Sequence, residues 1–201
     1  MPIVRILAAA LLASSLGACA SSRFEADVVR FHRNDVAEAS TVSLRPADPN
    51  LAQTLEFQQY AEILGQRLAA RGFRPASGGA ANLIGEVSYT TTTRAALRDN
   101  RSPVSVGVGV GSIGSNVGVS LGTAFGLGGN KGDGGTRVHT LALRLMKPGG
   151  ETVWEGRAVA EAGMDQGGSL PSLFPKLADA LLSDFPGPSG KTTQYVEPSG
   201  R

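Results

Sequence analysis

The chain is poor in the side chains that most often carry chemistry. It has one cysteine, two histidines and one tryptophan in 201 residues, and aromatics make up only 5%. A single cysteine leaves no disulfide and no cysteine-rich metal site. His32 and His139 stand far apart, with no acidic or second histidine partner at a metal-ligand spacing, so each is expected at the surface or held by a hydrogen bond. Glu151, Glu155 and Glu161 fall on one face of a strand pattern, which reads as a solvated face. No nucleophile elbow or similar local signature occurs. There is no basic run, and 19 Lys and Arg against 17 Asp and Glu give a net charge of +2, so nothing steers the chain to nucleic acid. The sequence assigns no catalytic residue, no metal and no cofactor, and the chain reads as non-enzymatic.

What is present begins with "MPIVRILAAALLASSLGACASS" (1–22). Arg5 and the α-amino group form a small positive region, followed by an apolar core over 6–16 broken only by Ser14 and Ser15. A helix spanning a bilayer takes about twenty apolar residues, so 1–18 reads as a signal peptide. Leu16, Gly17, Ala18 and Cys19 together resemble a lipobox: an aliphatic residue, two small ones, then cysteine. In lipoproteins the thiol of that cysteine receives a diacylglyceryl group, the chain is cut before it, and the new amine is acylated. The resemblance implies that Cys19 is lipidated and that its thiol is consumed. Cleavage leaves 201 − 18 = 183 residues, and loss of Arg5 takes the net charge from +2 to +1. One acyl chain binds a membrane only marginally, whereas a triacylated Cys19 would hold the protein there. Ala20 after the cysteine, where an Asp favours inner-membrane retention, resembles the outer-membrane class. The expected location is the outer membrane, lipid-anchored, with the domain facing the periplasm.

The oddest stretch is "SVGVGVGSIGSNVGVSLGTAFGLGG" (105–129), in an uncharged run from Ser102 to Asn130 within an insertion over about 102–135. "GVGSIG" (109–114) matches a dinucleotide-binding spacing, but that motif works only between a strand and a helix. The residues that follow are too rich in glycine for a helix in water, and no Gly-Lys-Ser/Thr follows, so no nucleotide is expected. Gly114, Gly118, Gly122 and Gly126 stand four apart, as in packed membrane helices. Against that, Val104, Val106, Val108 and Val110 alternate with Ser and Gly, and Val117, Val119 and Leu121 alternate after "SIGSN". Period two on both sides of a Gly-Ser-Asn turn predicts a hairpin. A membrane seam and a disordered loop are the alternatives.

The remaining chain alternates strand and helix patterns. "FEADVVRF" (24–31) and "STVSLRP" (40–46) read as strands with a polar turn at 32–35. "DPNLAQTLEFQQYAEILGQRLAARGF" (48–73) is an amphipathic helix, with Asp48 as N-cap, Pro49 at its first position and Gly72 at its stop. Phe57, Tyr60, Ala61, Leu64 and Leu68 form its buried face. "NLIGEVSYTTTT" (82–93) is a half-buried strand. "TRVHTLALRLM" and "ETVWEGRAVAE" form a hairpin around "KPGG", with Trp154 in the core. "SLPSLFPKLADALLSDF" (169–185) is a second amphipathic helix, regular from near Ser172 because Pro175 suits only a first turn.

The helix ending "LAARGFRPA" (68–76), the strand "ANLIGEVSY" (81–89), the hairpin "LALRLMKPGGETVWEGRA" (141–158) and the closing "LLSDFP" (181–186) together resemble the bacterial lipoproteins of domain-of-unknown-function family 4136. The Val-Trp-x-Gly of the hairpin and the final Phe-Pro are the most specific parts. "ANLI" departs from the family, which tends to have an Asp after the helix. The resemblance implies fold and location, and adds no catalytic residue.

The chain therefore reads as a signal peptide (1–18), a tether (19–23), one α+β domain (24–186) and a disordered tail (187–201). The domain is expected to be an antiparallel sheet with two amphipathic helices packed on one face, plus the Gly-rich hairpin insertion. The expected function is non-enzymatic binding or scaffolding at the membrane surface. Its partners would be the membrane, through Cys19, and an envelope protein or a second copy of itself. The alternative is a subunit of an oligomeric outer-membrane pore or secretion assembly that uses the hairpin.

Overall fold

The computed structural model describes residues 23–33, 40–76, 81–94, 136–163 and 168–199. Seven strands and two α-helices follow one another as β1 (Glu25–His32), β2 (Thr41–Pro46), α1 (Leu55–Ala69), β3 (Arg74–Pro75), β4 (Leu83–Arg94), β5 (Thr136–Met146), β6 (Thr152–Gly163), α2 (Leu170–Leu182) and β7 (Thr192–Val196). The strands form one sheet in the order β3-β2-β4-β5-β6-β1-β7. The α+β class stands. The lipobox, the signal segment and the Gly-rich insertion, for which a hairpin is expected, lie outside the described residues.

The sheet is mixed rather than purely antiparallel. β2 runs parallel to β3 and to β4, while β4, β5, β6, β1 and β7 pair antiparallel in turn. The cause is α1, a crossover that returns the chain to the end where β2 began. Nor do β1 and β2 form neighbours across a polar turn. β1 pairs instead with β6, Val28 opposite Ala158 and His32 opposite Trp154, so His32 ends a strand and does not sit in a turn. The tail expected to be disordered contributes β7 to the far edge, with Ala26 opposite Tyr195. Its "TTQYV" carries strand-forming Thr, Tyr and Val.

Two helix boundaries also differ from expectation. Asp48 and Pro49 open a short 3-10 turn (Pro49–Leu51), with the Asp48 carboxylate accepting from Asn50 N. Thr54 then caps α1, its hydroxyl accepting from Phe57 N at 3.2 Å. Gly72 ends the helix as expected, at φ 90°, and Phe73 N donates back to Leu68 O. α2 starts at Leu170 and passes through Pro175. The N–H that Pro175 lacks would have met the carbonyl of Pro171, an exposed first-turn residue, so the ring breaks no buried bond.

The core is one buried cluster built from residues of both helices and of the sheet. Leu141, Leu143 and Leu145 of β5, Trp154 and Ala158 of β6, Val28 of β1 and Val87 of β4 are buried with Leu64 and Leu68 of α1 and Phe174, Leu177 and Leu181 of α2. Alternation along each strand sends these residues to one side and most of the charged ones to the other, Arg30 being the exception. The helices meet through Tyr60 and Phe174, stacked at 3.9 Å, and through Arg67 and Asp179 at 2.6 Å.

Candidate functional site

Three groups of polar side chains are drawn together by this fold. The first surrounds Arg30, which is only 1% exposed although its neighbours in sequence are strand apolars. Its Nε donates to Leu181 O at 2.9 Å, and one terminal nitrogen donates to Ala180 O at 2.8 Å and to the Ser183 hydroxyl at 3.0 Å. The other donates to the Thr193 hydroxyl at 3.3 Å. These carbonyls belong to the last turn of α2, where helical bonding runs out and Ala180 O keeps only a 3.4 Å bond from Ser183 N, and a cation there also meets the negative end of the helix dipole. Burial lowers the Arg30 pKa and the nearby Asp184 charge opposes that fall. Sequence reading missed Arg30. The signal was present, because Ala26, Val28 and Arg30 alternate onto one face of β1, and that face is the buried one.

Around the same point, the Trp154 indole N–H donates to Pro186 O at 3.0 Å, and its ring lies 5.2 Å from that of Phe185. A Cβ on Gly156 would collide with the Trp154 ring and press on Leu181, so the glycine is what lets the indole lie flat across β6. The Nε2 of His32 is 2.8 Å from Gly187 O. The Val-Trp-x-Gly and Phe-Pro segments, 32 residues apart in the chain, thus close on each other in space.

The second group sits at the opposite end of β4 and β5. His139 is 1% exposed, with Nδ1 at 2.9 Å from the Thr91 hydroxyl and Nε2 at 3.1 Å from Gly168 O. A carbonyl can only accept, so Nε2 carries the hydrogen and Nδ1 accepts from Thr91. The expected satisfied histidine is therefore found, here tying β5 to the start of α2. Nearby, the Tyr60 and Tyr89 rings meet edge to face at 4.8 Å and both hydroxyls are buried, that of Tyr89 without a hydrogen-bond partner among the described residues. Burial raises both phenol pKa values, and the Glu56 charge one turn before Tyr60 adds to the rise.

Burial lowers the His139 pKa, with Arg137 acting the same way and the Gly168 hydrogen bond opposing. The unfolded chain then takes up this proton at a higher pH than the folded one. His139 thus favours folding above its unfolded pKa of about 6.5, and that contribution fades as pH falls through 6.5 toward the folded value. Melting temperature should fall from about pH 7.5 to about pH 5.5, and less steeply in His139→Gln, which keeps a donor for Gly168 but does not titrate. Parallel slopes in the two proteins would remove His139 as the cause.

The third group is a charge ladder across the outer face of the sheet. Arg45 reaches Glu86 at 3.0 Å, Arg144 reaches Glu86 at 3.6 Å, and Arg144 reaches Glu155 at 3.9 Å. Glu151 instead pairs with Arg33 at 2.7 Å and Lys147 at 3.1 Å. These exposed pairs fit the solvated face and are each worth little in stability. Among the described residues no group of three or more His, Cys, Asp or Glu is placed to hold a metal, and no helix is long and apolar enough to cross a membrane.

Residues 26–187 match the family described as a domain of unknown function, DUF4136. The chain belongs to this family. It is also 27% identical over 208 residues to an uncharacterized protein of Zymomonas mobilis, covering 83% of this chain and 78% of that one. Among solved structures, a PDZ domain protein from Parabacteroides distasonis superposes with a TM-score of 0.50 at 14% identity, over 94% of this chain. This chain spans 42% of that protein's length, and the likeness is one of fold alone. A PelC dodecamer from Paraburkholderia phytofirmans gives a TM-score of 0.42 at 15% identity, over 79% of this chain and 95% of that one. The family match ends at Gly187, so β7 is an addition to the matched region.

Proposed function

We propose that this DUF4136 protein is a lipid-anchored outer-membrane protein whose α+β domain is a non-enzymatic binding or scaffolding module facing the periplasm. The observation that carries the module reading is how Arg30 and His139 are used. These are the buried ionisable groups with the strongest chemical potential, and the hydrogen bonds of both run to groups that hold the fold. Among the described residues, the polar sheet face and the sheet edge at β7 are surfaces open to a partner. Both helices are inferred to cover the same face of the sheet, supported by Tyr60 of α1 and Phe174 of α2 both packing on Tyr89 of β4. The Gly-rich insertion is inferred to be a hairpin, supported by the alternating valines on either side of "SIGSN".

The anchor rests on Leu16-Gly17-Ala18-Cys19. Cys19→Ser is expected to leave an uncleaved precursor without acyl groups, because both steps need the thiol. Metabolic labelling with palmitate in a Gram-negative host checks it. Equal label in mutant and parent would defeat the lipoprotein reading.

A further inference from the structure

We propose that the free edge of β7 pairs with β7 of a second copy of this chain, in an antiparallel register centred on Gln194. This rests on the reading of the domain as a binding module and names its partner.

The two ends of the sheet are unlike. At one, β3 is two residues long and contains Pro75, a combination that blocks further pairing. At the other, β7 offers five residues, Thr192–Val196, with no charge among them and Val196 42% exposed. Which backbone groups face outward follows from the pairing with β1. Glu197 N donates to Phe24 O at 2.9 Å, so in this antiparallel register Tyr195 and Thr193 also point their N–H and C=O groups at β1. Thr192, Gln194 and Val196 therefore turn theirs to the free edge.

A two-fold axis through Gln194 sets Gln194 against its own copy and Thr192 against Val196 of the other chain. Every outward N–H and C=O of β7 then has a partner. A shift of the centre to Thr193 would leave Val196 unpaired. The same register puts Lys191 directly opposite Glu197 of the other copy, on the face where side chains of a non-hydrogen-bonded pair come closest. The strand is fixed for this role from behind: Lys176 holds Glu197 at 2.7 Å, Tyr195 packs edge-on against Phe24, and the Thr193 hydroxyl meets Arg30. A five-residue edge buries little area, so the contact is weak in dilute solution. Confinement of lipid-anchored copies to one membrane raises their effective concentration and favours it. The axis is perpendicular to the sheet, so both tethers reach one bilayer when that axis stands along the membrane normal.

The test is disulfide trapping of the full-length chain in membranes. On this axis position 194 faces itself, and the Cα separation of such a hydrogen-bonded pair, about 5.5 Å, is within disulfide range. The Gln194→Cys variant is expected to shift under mild oxidation to a covalent dimer of twice the monomer mass, while Gln58→Cys, exposed on α1, stays monomeric. Adding Lys191→Glu to Gln194→Cys should reduce trapping, because it sets like charges at 191 and 197 across the axis. In the uncrosslinked chain, Gln194→Pro removes an outward N–H and the exposed bond from Gln194 to Glu25 but no backbone bond to β1, so it should abolish chemical cross-linking of copies without loss of secondary structure. A Gln194→Cys variant that forms no dimer beyond the Gln58→Cys level would overturn the proposal. So would a disulfide from that variant to a different protein, which would leave the binding-module reading standing. Loss of the palmitate label in the parent chain marks failure of the anchor, independently of both.

Discussion

Arg30→Ala should lower the stability of the folded domain by about 3–6 kcal/mol, two charged hydrogen bonds at about 1.5–3 kcal/mol each. The bonds at stake run from the guanidinium to Leu181 O and Ala180 O in the last turn of α2, where Ala180 O otherwise has only a long 3.4 Å bond from Ser183 N and the Ser183 hydroxyl. The substitution also opens a hole beside Gly187, which packs against the Arg30 side chain. Against a total stability of about 5–15 kcal/mol, such a loss leaves much of the protein unfolded at growth temperature. Arg30→Lys restores charge but not the planar fork that serves several acceptors at once, so it should recover only part of the loss. Urea unfolding followed by far-UV circular dichroism measures both. A midpoint unmoved in Arg30→Ala would mean that the α2 terminus is satisfied by other groups.

Trp154→Ala is the second large effect, about 3–5 kcal/mol for loss of a fully buried aromatic side chain. The indole is 0% exposed and lies between Gly156, Leu181 and Phe185. The substitution also leaves Pro186 O without its N–H partner. Trp154→Phe separates the two contributions, since it keeps much of the ring and removes the donor; it should cost roughly the 1–3 kcal/mol of one orphaned buried group. Trp154 is also the chain's one tryptophan. Its emission in the parent reports the buried state directly, and a red-shifted, solvent-like spectrum in the native protein would contradict this placement.

Both predictions concern contacts between segments 32 to 151 residues apart, and this separates what could be read from the sequence from what could not. Period-two and period-3.6 patterns are properties of neighbouring residues. They disclosed β4, the β5–β6 hairpin with its Lys147–Gly150 turn, the buried face of α1 and the burial of Trp154. Gly72 at its positive φ was legible because the requirement is local to the backbone. The start of α1 was misjudged because Asp48 and Thr54 are both competent caps, and the 3-10 turn between them has no periodic signal.

The sequence by itself determined the α+β class, the amphipathic faces and the lipobox-like Leu16-Gly17-Ala18-Cys19, since each is written in adjacent residues. Only the tertiary structure decided which strands are neighbours. β1 lies between β6 and β7, and β2 runs parallel to β4, because pairing follows the burial of whole faces and the path of α1 rather than nearness in the chain. It alone decided the fate of the buried polar groups as well. Arg30 is tolerated in the core because the end of α2, 150 residues away, presents carbonyls to it, and burial lowers the His139 pKa while Thr91 and Gly168 fix its tautomer. A lone strand sequence cannot specify such partners, because desolvation is balanced only by groups that the folded chain brings within hydrogen-bond distance.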